Sequence, residues 1–170
     1  MALTDRELWT VIHGMLLGAL FLLAFAGGLA GLYSLRWELV TPSGLRERLP
    51  RLEIGTSVMA IVAWLTVITG TWIVFPWYRA AVPTSPRSML LADPARALWH
   101  TFGMEWKEHV AWMAPLLATA VAFVVIYYGP RLAQEPKVRQ ALMALFVIAF
   151  AAAAVAGLFG AFINKVAPTI

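Results

Sequence analysis

The chain has 170 residues, of which 61% are hydrophobic and 13% charged, with a net charge of +4 and no cysteine. A soluble domain carries about 25% charged residues, so the composition is that of a membrane protein, and the basic balance does not imply nucleic acid. Without cysteine there is no disulfide, no iron–sulfur cluster, no thiolate zinc site and no C-x-x-C-H attachment for c-type haem, and any metal must be held by His, Met, carboxylate or backbone.

Four stretches are long enough to cross a hydrocarbon core, which takes roughly 20 apolar residues. The first covers about residues 8–33. Thr4-Asp5-Arg6-Glu7 just before it has the form of a capping box and predicts a helix starting at Asp5. Ala24-Phe25-Ala26 resembles a signal-peptidase site, but Met1–Glu7 lacks a basic leader region, and the stretch is read as a span. Gly14 with Gly18, and Gly27 with Gly31, make G-x-x-x-G spacings that predict close packing within the bundle, with self-association as the second reading.

The second span covers about residues 54–78 and carries Thr56, Thr66, Thr69 and Thr71, whose hydroxyls can bond back to carbonyls of their own helix. The connection from Arg79 to Gly103 is the one long enough to form a small cap. In it, Asp93-Pro94 predicts a surface helix over residues 94–102, with Gly103 as the joint to the next span. The third span covers about residues 109–128, and Pro115 should kink it. The fourth, about residues 138–163, is rich in alanine and glycine and suits close helix approach. No repeat or linker divides the chain, so residues 1–170 read as a single transmembrane domain.

The expected fold is an all-α, up-down-up-down membrane four-helix bundle with both termini on the same side. Arg36, Arg46, Arg48, Arg51, Arg131, Lys137 and Arg139 crowd the two shorter connections. By the positive-inside rule that side is cytoplasmic, which puts the termini on the periplasmic side of a bacterial inner membrane. Trp9, Trp72, Trp77, Trp99, Trp106 and Trp112 form an interfacial belt on the terminal side, and Trp37, Tyr127 and Tyr128 mark the other.

All three histidines, His13, His100 and His109, fall on the terminal side. Spans one and three run in the same direction, and His13 and His109 differ in depth by roughly one helical turn. Two imidazoles on separate helices, apolar walls and nearby cations are what a b-type haem requires. The expected ligands are His13 and His109. Glu105, four residues before His109, would orient its ring, and Arg79, Lys107 and Lys165 lie at the level of the propionates. His100 reads as a surface residue. It does not readily share an iron with His109, since nine residues of helix separate them by about 13 Å in height.

In this layout the chain resembles the four-helix membrane cytochromes of b type, in which histidines on separate helices clamp haem near one membrane face. The resemblance covers the four spans and rests on His13 and His109; the second histidine pair that would hold another haem near the opposite face is missing. It implies single-electron transfer with a membrane quinol or a periplasmic carrier. Two other readings stand beside it. One is a structural or assembly subunit that packs against other membrane subunits through its Gly/Ala faces; the other is a small copper or zinc site built from His13, Glu105 and His109, with Met104 or Met113. No hydrolase, phosphate-loop or zincin motif is present.

Overall fold

The computed structural model describes residues 3–168, and these contain helices and turns but no strand. Helix α1 spans Asp5–Ser34 and α2 spans Pro42–Tyr78. A short helix α3, Pro86–Ala92, lies in the long connection. Helices α4, Trp99–Gln134, and α5, Pro136–Val166, complete the chain. Helices α1, α2, α4 and α5 are long and apolar enough to cross a membrane, which identifies an integral membrane protein with a four-helix, all-α fold.

The helices outrun the apolar stretches because local capping starts them early. Thr4 closes the predicted capping box: its hydroxyl accepts from the Glu7 N–H, and the Glu7 carboxylate accepts from the Thr4 N–H at 2.8 Å. Helix α2 starts at Pro42, well ahead of Ile54, because Thr41 accepts from the Gly44 N–H at 3.1 Å and proline suits the first helical position. Its exposed first turns are tied by an Arg51–Glu47 pair at 2.7 Å.

Three segments widen from α-helical to π-helical hydrogen bonding: Ile12–Leu16 in α1, Gly70–Val74 in α2 and Trp99–Met104 in α4. In α2 the wide turn precedes Pro76, whose missing N–H and ring disturb the preceding turn. In α4 the ladder breaks at residues 110–112, where the Ala111 N–H reaches back to Trp106 at 3.3 Å. That break lies one turn before Pro115, where a proline kink belongs.

The helices contribute to two compact units. One contains residues 3–19, 64–112 and 152–168, and so both described chain ends and the long connection. The other contains residues 20–63 and 113–151, with both shorter connections. This division is that of an up-down-up-down chain.

The second unit is held by aromatic and small-residue packing. Phe25 stacks on Phe150 with centroids 4.0 Å apart and tilts against Phe146 at 5.5 Å. Phe146, Leu32, Leu52, Met59, Val121 and Val125 are fully buried. Thr56, also buried, donates its hydroxyl to the Leu52 carbonyl at 2.9 Å. The glycines of α1 divide differently from their spacing. Gly28 and Gly31 make the close approaches, to Phe146 and Leu52, whereas Gly14, Gly18 and Gly27 have no neighbour at the Cβ position. The predicted close packing therefore holds for Gly31 but not for the other three.

In the first unit the long connection folds as an ordered cap, with two corrections to the expected elements. It holds a helix the sequence reading did not include, Pro86–Ala92, while of the expected helix over residues 94–102 the part from residue 97 is helical and runs on into α4 rather than standing apart. Ser85 caps the Pro86–Ala92 helix by accepting from the Ser88 N–H, Pro86 takes the first position, and Leu90 is fully buried against Tyr78, Met104, Ile163 and Ala167. Asp93 instead opens a turn, accepting from the Ala95 N–H at 3.0 Å and pairing with Arg96 at 3.0 Å. Nor is Gly103 a joint: it lies buried inside the wide turn of α4, against Phe159.

A Cβ at Gly28 would lie 2.7 Å from the Phe146 ring, and that ring is held by Phe25. Gly28→Ala should therefore destabilise the protein by about 1–3 kcal/mol through overpacking, read as a lowered unfolding temperature in detergent. Gly27→Ala, which meets nothing, should be neutral or slightly stabilising.

Candidate cofactor site

The first unit carries the ionisable side chains that sequence reasoning singled out. His13 sits in the wide turn of α1, half-buried, and faces the wide turn of α2. Its Nδ1 lies 3.0 Å from the Thr69 hydroxyl. Gly70 makes this seat possible, because a Cβ there would fall 2.8 Å from His13 Cε1.

The Thr69 hydroxyl donates its single proton to a carbonyl of its own helix, Leu65 at 2.8 Å or Thr66 at 3.2 Å. With its proton there, the oxygen would accept from Nδ1 of His13, and the Thr66 backbone also hydrogen-bonds the ring, so two groups of α2 hold it. A neutral imidazole with Nδ1–H presents a lone pair at Nε2.

His109 is held by a different route. Its Nδ1 lies 2.9 Å from the Glu105 backbone carbonyl, which can only accept, and 3.5 Å from the Glu105 carboxylate. Nδ1 there carries a proton, since a carbonyl oxygen only accepts. The His109 ring is 71% exposed. Glu105 thus touches His109 through both its backbone and its side chain, one helical turn away.

His100 corrects an expectation. It is buried rather than on the surface, and its Nδ1 lies 2.8 Å from the Tyr78 hydroxyl. The wide turn Trp99–Met104 carries it beneath the cap, where Arg87, Glu105 and Arg79 are its charged neighbours. The Tyr78–His100 pair joins the end of α2 to the start of α4. Phe102 and Trp106 pack with Phe159 on the side of α5.

Lys107 points into the bundle. Its ammonium donates to the Ala156 carbonyl of α5 at 3.2 Å, over Gly160, where a Cβ would lie 2.7 Å from Nζ. His13 lies within its electrostatic range. Arg79 is exposed and rests over the Phe75 ring at 5.2 Å, and Lys165 is exposed on the last turn of α5. Glu108 has one carboxylate oxygen buried without a hydrogen bond, and Arg87 has its Nε in the same condition; Glu105, Arg79, His109 and Arg87 are the charges facing Glu108.

Among the described residues, no three His, Cys, Asp or Glu side chains converge at metal-binding distance. Sequence reasoning missed Thr69, Gly70, Arg87 and the Tyr78–His100 pair. A threonine followed by glycine on the span opposite His13 is a readable signal for the first two. Arg87 and the Tyr78–His100 pair depend on how the connection folds back. No known family, curated protein or solved structure matches this chain.

The protonation pattern is directly measurable. In protein labelled with 15N at histidine, His13 and His109 should each show a protonated Nδ1 and an unprotonated Nε2. Thr69→Val, which removes the acceptor, should abolish that preference at His13 and leave it at His109.

Proposed function

We propose that this protein is a membrane b-type haem protein that transfers electrons near the periplasmic face, with His13 and His109 as the axial ligands. The observation that supports the reading is a hydrogen bond at Nδ1 of each histidine, to the Thr69 hydroxyl for His13 and to the Glu105 carbonyl for His109, which would leave Nε2 of each to face a metal. Metal-ligating histidines are typically oriented by such a hydrogen bond, which fixes the tautomer and raises ligand basicity. Thr69 would play that part for His13, and Glu105 for His109.

The donor set fits haem better than a small ion. A porphyrin brings four nitrogens and asks the protein for two axial ligands, whereas a copper or zinc site would need His13, Glu105 and His109 to converge. Lys107 near His13, with Arg79 and Lys165 at the end of the bundle, would partner the propionates. Bound haem would supply reversible one-electron chemistry, its partner being a membrane quinol or a periplasmic carrier. The protein would hold the two rings, set their basicity and keep water from the apolar part of the site. The rival is an assembly subunit of a larger complex. It is supported by the open faces at Gly14, Gly18 and Gly27, which have no neighbour within the chain.

The test is an absorption spectrum of detergent-purified protein made with ample haem, oxidised and then reduced. A sharp Soret band with split α and β bands on reduction is expected, and it should be lost in both His13→Ala and His109→Ala but retained in His100→Ala. Thr69→Val should keep the bands with haem affinity lowered by about 10- to 100-fold, the usual cost of losing an outer hydrogen bond to a ligand. A flat visible spectrum in the unaltered protein overturns the haem reading in favour of the assembly subunit.

A further inference from the structure

The unit that lacks histidine contains a different polar site. Arg139, in the first turns of α5, is only 6% exposed. Its Nη1 is shared among three backbone carbonyls, Leu35 at 3.4 Å, Leu132 at 3.2 Å and Ala133 at 3.1 Å. Leu35 directly follows α1, and Leu132 and Ala133 lie in the last turn of α4. The guanidinium thus collects the carbonyl-rich, partially negative C-terminal ends of two helices.

That arrangement leaves the cation incompletely answered. A guanidinium stays charged at any physiological pH and carries five N–H donors. Nε of Arg139 is buried and has no hydrogen-bond partner. The hydrogen bonds that Arg139 makes go to backbone carbonyls, not to a carboxylate. The same residue lines a cavity of about 300 Å³, together with Trp37, Glu38, Ala133, Gln134 and Pro136.

The lining carries two opposite chemistries. Arg139, with the Gln134 amide, offers hydrogen-bond donors and a fixed positive charge, which suits a phosphate oxyanion. Glu38 and Trp37, on the short turn Trp37–Leu39, add a carboxylate and an indole to the same lining, which suits an ammonium group. A simple anion would leave Glu38 repelled, and a simple cation would leave Arg139 repelled. A ligand carrying both charges a few atoms apart satisfies both. The cavity also lies where α1 ends, α4 ends and α5 begins. In a bilayer this is the headgroup level, where tryptophan concentrates.

We propose that this cavity is a binding site for a zwitterionic phospholipid headgroup, phosphoethanolamine, with its phosphate on Arg139 and Gln134 and its ammonium on Glu38 and Trp37. The free headgroup and the intact lipid share this chemistry. The intact lipid is the expected occupant, since its acyl chains would lie along the apolar exteriors of the adjoining helices. The site is independent of the haem reading, because it shares no residue with it.

The experiment is native mass spectrometry of the full chain, delipidated in detergent and then offered phosphatidylethanolamine, phosphatidylglycerol or soluble O-phosphoethanolamine at equal concentration. One phosphatidylethanolamine per chain should be retained, at least five-fold over phosphatidylglycerol, with O-phosphoethanolamine displacing it only in large excess. Glu38→Gln and Trp37→Ala should each reduce retention about ten-fold without changing the unfolding temperature of the lipid-free protein. These exposed positions keep the test valid where Arg139→Ala simply fails to fold. Equal retention of the two lipids, unchanged retention in Glu38→Gln, or binding of O-phosphoethanolamine alone would each overturn the proposal.

Discussion

An imidazole among apolar helices has no water to satisfy it and must find its partner on a neighbouring helix. Thr69 provides that partner for His13, and much of the first unit follows from the contact. The threonine hydroxyl also meets the Leu65 carbonyl of its own helix, so one side chain ties the imidazole to α2. The contact also needs the two backbones close, which explains glycine at position 70: an alanine there would collide with the ring. Two local choices on α2, a hydroxyl and an absent side chain, therefore set the position of a residue on α1.

The wide turns belong to the same account. All three lie in the unit that contains the histidines, one carrying His13, one beginning at Gly70 and one carrying His100. An i→i+5 turn rotates the residues that follow it relative to a regular helix, and such turns gather at functional sites. For His100 the rotation places the ring beneath the cap, on Tyr78. In the other unit the described helices contain no wide turn, α4 tightening instead to a 3-10 turn at Gly129–Gln134, and their contacts include those of phenylalanine rings and Gly28. Ionisable groups inside a membrane bundle are costly and mark function more often than packing. Lys107 over Gly160 is in keeping with that rule, its ammonium answered by a helix carbonyl.

The spans were legible because twenty apolar residues in a row have few other uses, and the capping box at Thr4 because its two hydrogen bonds are local. The start of α2 was legible in principle from Thr41-Pro42, but hydropathy hides it, since the first turns of that helix are charged and lie outside the apolar stretch. In the connection both Asp93-Pro94 and Ser85-Pro86 are good helix starts by local chemistry, and both are used: Ser85 caps a helix anchored by buried Leu90, and Asp93 opens the turn that leads into helix from residue 97. The glycines misled because spacing of four identifies a helix face but not whether another helix occupies it. Gly28, outside either motif, is the residue that meets Phe146.

His13 and His109 were visible as candidates from residue type and depth alone, but their hydrogen-bond partners were not, since these depend on how the chain folds. That difference bears on the choice between a haem protein and a packing subunit. A histidine that served only to join helices would gain most by using both ring nitrogens on protein partners, as an interhelical hydrogen bond from each would add to stability. His13 does meet two groups of α2, the Thr69 hydroxyl and the Thr66 backbone, whereas His109 bonds within its own helix. For His109, exposed on α4, the bond closes on its own helix turn and joins it to no other element. A bond of that kind does little to hold a bundle together. It does hold the ring against its own helix, which is what the proposed ligand role would require.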